Sequence, residues 1–198
     1  MEKVLVADLQ AAGADDASLI ERSRGGEPAA FGELVIRYQD RLFNTLVRVC
    51  GEAEEARDVT QEAFVQAFVK LESFQGKSAF YTWLYRIAFN TAISRRRRRK
   101  PTASLDEARE SAGIEPADPD ARPEANLERT EQAAQVQAAL ATLSDEHRTV
   151  LVLREIDGRD YDTIGQMLDI PVGTVRSRLH RARLQLKEEM ERRIEKEG

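Results

Sequence analysis

The chain has 198 residues, with 30 Lys+Arg against 35 Asp+Glu and a formal net charge of −5. This length fits one or two small domains, each with a modest hydrophobic core. The single cysteine, Cys50, excludes an intramolecular disulfide and any cysteine-based zinc site. No apolar run approaches the roughly 20 residues that span a bilayer, and the N-terminus has no signal-peptide pattern. We therefore expect a cytoplasmic protein without membrane insertion.

The charge is distributed unevenly along the chain. Residues 95–100 are five arginines and a lysine, whereas residues 101–135 hold 9 acidic and 3 basic side chains. A second basic stretch lies between Arg176 and Lys187, with no acidic residue inside it. Two basic blocks in an acidic chain indicate localised contacts with anions.

A proline-rich stretch marks a boundary between two parts of the chain. Four of the six prolines lie in residues 101–123, and proline disfavours helix at its own and the preceding position. We therefore predict an N-terminal tail at 1–14, a first domain at 15–97, a flexible acidic linker at 98–127 and a second domain at 128–198.

The first half reads as helical throughout. Apolar side chains recur at helical spacing from Phe31 to Val49 and from Val59 to Leu71. A fourth helix is predicted from about Ala79 to Arg97, and its inward face is expected to carry Phe80, Trp83, Leu84, Ile87 and Thr91. No segment alternates as a strand would, so we predict an all-α bundle.

The second half predicts shorter helices. Ser144 and Asp160 are placed to cap two of them, and Gly158 is placed to end the first. A last helix follows Pro171, with Val175, Leu179, Ala182 and Leu186 facing inward. Two helices joined by a tight turn, the second strongly basic, describe a helix-turn-helix.

The basic helix after Pro171 is the first candidate functional element. Its outward faces present Arg176, Ser177, His180 and Arg181, residue types that read base edges and phosphates in duplex DNA. The alternative is a basic, solvated helix. Arginines without an acid at i±4 would then repel one another with no compensation.

The aromatic segment before the arginine run is the second candidate. Aromatic rings beside cations suit single-stranded DNA, whose bases stack on rings while the backbone follows positive charge. Phe80 and Trp83 are equally well explained as core residues, whereas Tyr81 and Tyr85 lie off the inward stripe. The run from Arg95 can also be a solvated helix end.

Enzyme chemistry finds little support in the sequence. His147 and His180 fall in different predicted helices, without ligand partners at metal-binding spacing. No nucleotide-binding or nucleophile motif occurs. We therefore expect no catalytic residue, no metal and no cofactor.

Three stretches of the chain closely resemble the extracytoplasmic-function sigma factors of bacterial RNA polymerase, in the sigma-70 family: residues 58–64, 74–92 and 171–178. The resemblance covers roughly residues 15–97 and 128–190. It implies a first domain, sigma region 2, that recognises and melts the minus-ten promoter element. It implies a second domain, sigma region 4, that reads the minus-thirty-five element as duplex.

The resemblance also implies roles for individual residues. A helix carrying Asp58, Gln61, Glu62 and Phe64 would dock on the clamp coiled coil of the largest polymerase subunit, and region 4 on the β flap. Asn90 would help to hold a flipped minus-ten base, beside a pocket loop at 74–78. The other expected minus-ten contacts are Lys77, Tyr81, Tyr85, Arg86, Arg95 and Arg96. The expected minus-thirty-five contacts are Thr174, Arg176, Ser177, His180, Arg181 and Arg183.

Two positions depart from the family pattern. Lys77 stands where an acidic residue is frequent, and His180 stands where an aromatic residue is frequent. The resemblance further implies an anti-sigma partner that holds the protein inactive, in a stress or envelope response. We also expect the acidic linker to thread through the basic nucleic-acid channel of the polymerase.

Two other classes of function remain open at this point. A free-standing helix-turn-helix regulator would bind duplex DNA without polymerase, and would have no need of the 58–68 helix or the Tyr81–Asn90 set. An enzyme would carry a cofactor or metal, which analysis of the purified chain would detect.

Overall fold

A computed structural model describes residues 16–99 and 135–197. Every regular element in these two ranges is helical, as predicted. The predicted tail at 1–14 and nearly all of the predicted linker at 98–127 lie outside the described residues. Within the described ranges, no helix combines the length and the apolar character needed to cross a membrane.

The described part of the chain divides into two compact units, the first built from residues 16–44, 58–99 and 166–169. Its helices are α1 (16–24), most of α2 (Pro28–Cys50), most of α3 (Ala53–Val69) and α4 (Phe80–Arg99). A single 3-10 turn, Leu71–Ser73, follows α3. The core of this unit is made of fully buried side chains at helical spacing: Leu34, Leu42, Val59, Ala63, Ala67, Leu84 and Ala88.

A buried polar contact fixes α1 against α2. The Asp16 carboxylate accepts hydrogen bonds from the Tyr38 hydroxyl at 2.5 Å and from the Arg37 guanidinium at 2.6 Å. Burial and the hydrogen bond to Asp16 raise the pKa of the Tyr38 phenol well above its ordinary value. Asp16 is 6% exposed, so its charge is stabilised by these donors in place of water.

The second unit consists, among the described residues, of 45–57, 135–165 and 170–197. Its elements include α5 (135–141), α6 (Asp145–Leu151), most of α7 (Tyr161–Leu168) and α8 (Val172–Glu197). One cluster of buried apolar residues in this unit consists of Val49, Leu140, Leu143, Leu151, Val152 and Ala182. Val175 and Leu179 are also buried, so the predicted inward face of the last helix is confirmed.

Helices α6 and α7 begin at the predicted capping residues, and the structure shows two further features that were not predicted. The Ser144 side chain accepts the His147 amide at the start of α6, and the Asp160 carboxylate accepts the Thr163 amide at 2.7 Å at the start of α7. Beyond Leu151, α6 continues as a π turn over Val152–Ile156, which the sequence did not predict. Likewise α4 runs past Arg97 to Arg99, because arginine is a good helix former.

Candidate functional site

The acidic side chains of α3 form a polar face together with Arg95 of α4. One guanidinium nitrogen of Arg95 lies 2.5 Å from the Asp58 carboxylate, and another lies 3.2 Å from that of Glu62. Glu62 also accepts from the Gln66 amide at 3.1 Å, and that amide approaches the Thr91 hydroxyl at 3.2 Å. Asp58 and Glu62 are one turn apart, so Arg95 offsets their mutual repulsion.

An exposed apolar stripe continues from this polar face along α3. Gln61 is exposed, and beyond it Val65, Phe68 and Val69 are 64%, 48% and 74% exposed. Residues three and four apart lie on one helix face, so these four side chains form a continuous surface. Carboxylates beside solvent-exposed valines and a phenylalanine are typical of a surface that a protein partner covers.

Phe64 does not belong to this surface. It is 7% exposed, and its ring meets that of Phe31 edge-on, with 6.5 Å between the centroids. The expectation that Phe64 presents its side chain to a partner is therefore wrong, because the ring fills the core of the helical unit. Phe68, one turn later, is the phenylalanine that reaches solvent.

The loop between the 3-10 turn and α4 is held at one end and open at the other. The Phe74 ring packs on Trp83, with 5.1 Å between centroids. Arg24 of α1 donates to the backbone carbonyls of Leu71 and Phe74. Gln75, Gly76 and Lys77 are exposed, so the anchored loop presents Lys77 to solvent.

The tyrosines of α4 face the interior. Tyr81 is 4% exposed, with the Arg41 guanidinium 4.3 Å above its ring, and Tyr85 is fully buried. The expectation that both rings stand off the inward stripe is wrong, because every residue from 80 to 85 is buried and the first turns of α4 have no solvent-facing side. Phe80 and Trp83 are core residues, as the alternative reading held.

The polar residues of α4 remain accessible. Asn90 is exposed, and Arg86, Arg95 and Arg96 are half-buried. The Ser94 hydroxyl donates to the Asn90 backbone carbonyl at 2.8 Å, leaving the Asn90 amide group on the surface. Arg95 was expected among the minus-ten contacts, but in the structure its guanidinium pairs with the Asp58 and Glu62 carboxylates of α3.

Helix α7, a three-residue turn and α8 form the predicted helix-turn-helix. Asp169 ends α7 with φ 55°, and the Ile170 amide donates back to the Gly165 carbonyl at 3.0 Å. A Cβ at Gly165 would lie 3.0 Å from the Ile170 carbonyl oxygen, so glycine permits this close turn. The Thr174 amide then donates to the Pro171 carbonyl at 2.9 Å as α8 begins.

The outward face of α8 carries the predicted duplex-reading side chains. Arg176, Ser177, His180 and Arg181 are all exposed, while Thr174 is half-buried. Arg176 and His180 are one turn apart, as are Ser177 and Arg181, so these four side chains form one patch. Within the described chain, no acidic group lies at ion-pair distance from Arg181.

Other helices supply acids to two further arginines of α8. Arg178 pairs with Glu146 at 2.8 Å, and Arg183 pairs with Glu155 at 2.6 Å. Hydrogen bonding to the Glu155 carboxylate raises the pKa of the Arg183 guanidinium. The argument that these arginines lack compensation is therefore wrong for Arg178 and Arg183, because the acids come from other helices rather than from i±4.

Comparisons with known proteins match both halves of the chain. Residues 34–102 match the family model of Sigma-70 region 2, and residues 133–186 match that of Sigma-70, region 4. The chain is 42% identical over 173 residues to the RNA polymerase sigma-H factor of Pseudomonas aeruginosa, covering 85% of this chain and 90% of that protein. The chain belongs to the extracytoplasmic-function sigma factors of RNA polymerase.

Further relatives agree with this assignment. This sigma factor is 38% identical to SigW of Bacillus subtilis, over 86% of this chain and 94% of that protein. It is 41% identical to the sigma-E factor of Escherichia coli K12, over 85% and 90% respectively. The identification decides against a free-standing helix-turn-helix regulator.

Two solved structures share its fold. CnrH in complex with the cytosolic domain of CnrY has a TM-score of 0.64 and 27% identity, covering 89% of this chain and 97% of that chain. The sigma factor RpoE of Bartonella quintana, solved with the anti-sigma factor NepR, has a TM-score of 0.65 at 23% identity, covering 81% and 96%. The second likeness is one of fold alone.

Sequence reasoning missed several residues of these surfaces in this sigma factor. Arg24 anchors the loop before α4, although no local motif marks it. Tyr161 follows the predicted Asp160 cap without any motif to mark it, yet its ring lies under two arginines. Val65 and Val69 could have been found, because they stand off the Val59–Ala63–Ala67 stripe.

Proposed function

We propose that this sigma factor binds core RNA polymerase through α3, addresses the melted minus-ten element through α4 and its preceding loop, and reads the minus-thirty-five duplex through α8. The observation that carries the proposal is the exposed patch of Arg176, Ser177, His180 and Arg181 on the second helix of a helix-turn-helix. This chain would supply specificity, and the polymerase would supply the chemistry.

The α8 patch has the chemistry of a duplex-reading surface. Arginine can donate two parallel hydrogen bonds to a guanine edge in the major groove, and serine reaches a base or a phosphate. Arg176 and Arg181 supply the guanidinium groups, and Asp160 caps the helix that precedes the turn. His180 offers ring nitrogens that donate or accept at the same face.

The α3 surface has the chemistry of a protein-docking site. Asp58, Gln61 and Glu62 offer acceptors to a basic partner, and Val65 and Val69 offer apolar area to a dry contact. Apolar area supplies affinity, whereas the carboxylates orient the partner and speed association. We assign this surface to the polymerase clamp.

The minus-ten assignment rests on the polar residues that α4 leaves outside. The Asn90 amide has both a donor and an acceptor for the edge of an unstacked base. Lys77 is exposed and Arg86 and Arg96 are half-buried, and these cations can contact the phosphate backbone. With Tyr81 and Tyr85 buried, Asn90 and these cations carry the contact with the single strand.

Run-off transcription with purified core polymerase on a promoter library tests the proposal. We expect the wild-type chain to direct initiation at a subset of promoters that core polymerase alone does not use. Arg176→Ala and Arg181→Ala should each weaken binding of the upstream duplex, by about 1–3 kcal/mol where the contact is bidentate. Arg192→Ala, at the far end of α8, is the matched control.

Some expectations lie beyond the described surfaces and stay predictions: the threading of the acidic linker, docking on the β flap, cytoplasmic location and control by an anti-sigma factor. CnrH was solved with a bound protein partner. If addition of this chain leaves the promoter use of core polymerase unchanged, the proposed function is wrong.

A further inference from the structure

Three arginines converge on Tyr161, the first residue of α7. The Arg154 guanidinium carbon lies 5.0 Å from the centre of the Tyr161 ring, and that of Arg176 lies 5.9 Å from the same centre. The third, Arg183, stands two turns after Arg176 on α8, and Tyr161 is among the groups that raise the pKa of its guanidinium. The three cations therefore come from the π turn and from both ends of the reading face.

The π turn arranges the residues around this ring. Arg154 and Glu155 are consecutive in the turn, and they reach different partners. The Arg154 guanidinium lies over Tyr161 and donates to the Arg159 carbonyl at 2.9 Å, whereas Glu155 accepts from Arg183 at 2.6 Å. Glu155 thus neutralises Arg183, which leaves Arg154 and Arg176 as the ring-bound cations.

A ring face holds a cation without neutralising it. The attraction comes from the quadrupole of the aromatic ring, so the guanidinium keeps its charge and its N–H donors. An ion pair, in contrast, occupies the donors that a base or phosphate would use. A tyrosine below Arg176 therefore restricts the rotamers of this arginine and preserves its ability to bind DNA.

We propose that Tyr161 is a positioning residue that holds Arg176 for base reading, and that Arg154, held on the same ring, is a further contact to the phosphate backbone. The inference rests on the proposed function of α8. Tyr161 acts through the arginines and touches no base itself. Arg154 extends the duplex-binding surface from α8 onto the π turn.

Duplex binding by the polymerase complex of the full chain tests this proposal. Tyr161→Leu removes the ring, and Tyr161→Phe keeps it while removing the hydroxyl. We expect Tyr161→Leu to lower affinity for the promoter duplex about fivefold and Tyr161→Phe to leave it within about twofold. The ratio of promoter to scrambled-duplex affinity should fall only for Tyr161→Leu, a change that general loosening of the fold would not produce.

Arg154→Gln has a different signature. It should weaken promoter and scrambled duplex equally and reduce the slope of log affinity against log salt by about 0.9, as expected for one lost phosphate contact. Arg192→Gln removes the same charge from a distant part of α8 and should leave the slope unchanged. An unaltered slope in Arg154→Gln overturns the phosphate assignment.

A double-mutant cycle separates the proposal from the function on which it rests. If Tyr161 acts through Arg176, the change Tyr161→Leu causes no further loss of the affinity ratio in an Arg176→Ala background. If Tyr161→Leu lowers the affinity ratio equally in the wild-type and Arg176→Ala backgrounds, the positioning role is overturned. If Arg176→Ala alone leaves duplex binding unchanged, the proposed function of α8 fails instead. Tyr161→Phe and Arg154→Gln keep the test decisive should Tyr161→Leu unfold.

Discussion

Arg95 of α4 forms a 2.5 Å ion pair with Asp58 of α3. Both residues had been expected at separate surfaces, one for the promoter strand and one for the polymerase. In the structure the guanidinium occupies the carboxylate oxygens that a basic partner would use. The ion pair therefore places an arginine that was expected to contact DNA on the surface proposed for the polymerase.

Replacing Arg95 with glutamine should strengthen binding to core polymerase. The change exposes the Asp58 and Glu62 carboxylates, and an exposed ion pair is worth only about 0.2–1 kcal/mol, so a gain of about two- to fivefold is expected. Fluorescence anisotropy of the labelled chain with core polymerase, without DNA, measures it. Arg98→Gln removes the same charge further along α4 and should not change the affinity. Weaker binding of Arg95→Gln would show that the arginine instead holds the carboxylates ready for the partner.

Removing one exposed valine from α3 should weaken polymerase binding without destabilising the fold. Val69 is 74% exposed, so Val69→Ser costs little when the chain is alone, whereas burial of the valine in a complex contributes about 1 kcal/mol. We expect roughly fivefold weaker binding and an unchanged melting temperature. Ile36→Ser, on α2, alters a side chain with 73% exposure and is the matched control. Equal effects of both changes would contradict a specific docking role for α3.

Asn90→Ala should impair promoter opening while leaving polymerase binding intact. The side chain is exposed, so the change removes a hydrogen-bonding group without creating a cavity. Permanganate reactivity of unpaired thymines around the minus-ten element reports opening, and gel filtration reports binding to core polymerase. Ser94→Ala, one turn later on α4, should open promoters normally. Wild-type opening by Asn90→Ala would remove this residue from the contact.

The Asp160 cap should make the stability of the helix-turn-helix pH-dependent. Hydrogen bonding to the Thr163 amide lowers the pKa of the Asp160 carboxyl below its ordinary value of 3.8. A carboxyl with a depressed pKa in the folded state stabilises the fold above the unfolded pKa, and this contribution is lost as the pH falls through the folded value. At pH 7, Asp160→Ala should lower the free energy of unfolding by about 1 kcal/mol.

Urea unfolding at neutral pH and below about pH 3 measures this difference, given the ordinary aspartate range. The difference in unfolding free energy between wild type and Asp160→Ala should be smaller at acidic pH. Asp160→Asn retains a capping oxygen that does not titrate, so its stability relative to Asp160→Ala should not depend on pH. If this difference in unfolding free energy stays the same in acid, the stabilisation does not come from the ionised Asp160 carboxylate.

The sequence was sufficient to predict the helices, the caps and the basic patch of α8. Period 3.6 in apolar residues places Val175, Leu179 and Ala182 inward, and this alone turns Arg176 and Arg181 outward. Ser144 and Asp160 cap as predicted because capping involves residues within one helical turn. Each of these predictions depends on local geometry, which a sequence encodes directly.

The features that the sequence left undecided depend on neighbours distant in the chain. Tyr81 and Tyr85 are polar at one end, and only the packing of other helices against α4 determined that their rings are buried. Arg95 meets Asp58 across 37 positions, and Arg183 meets Glu155 across 28. Pairings at such separations follow from the way helices pack, so spacing within one helix could not reveal them.

The π turn over Val152–Ile156 bears on how this chain is to be aligned with its relatives. A π turn holds one residue more than the α-helical turn it replaces. Deleting one residue there would restore a regular helix and leave the residues after Asp157 in their original frame. Relatives that differ by a single-residue gap at this point can therefore retain α7 and α8 unchanged while losing the Arg154–Glu155 arrangement. The length of this turn should distinguish family members that share the arrangement of Arg154, Tyr161 and Arg176 from those that do not. Percentage identity should distinguish them less well.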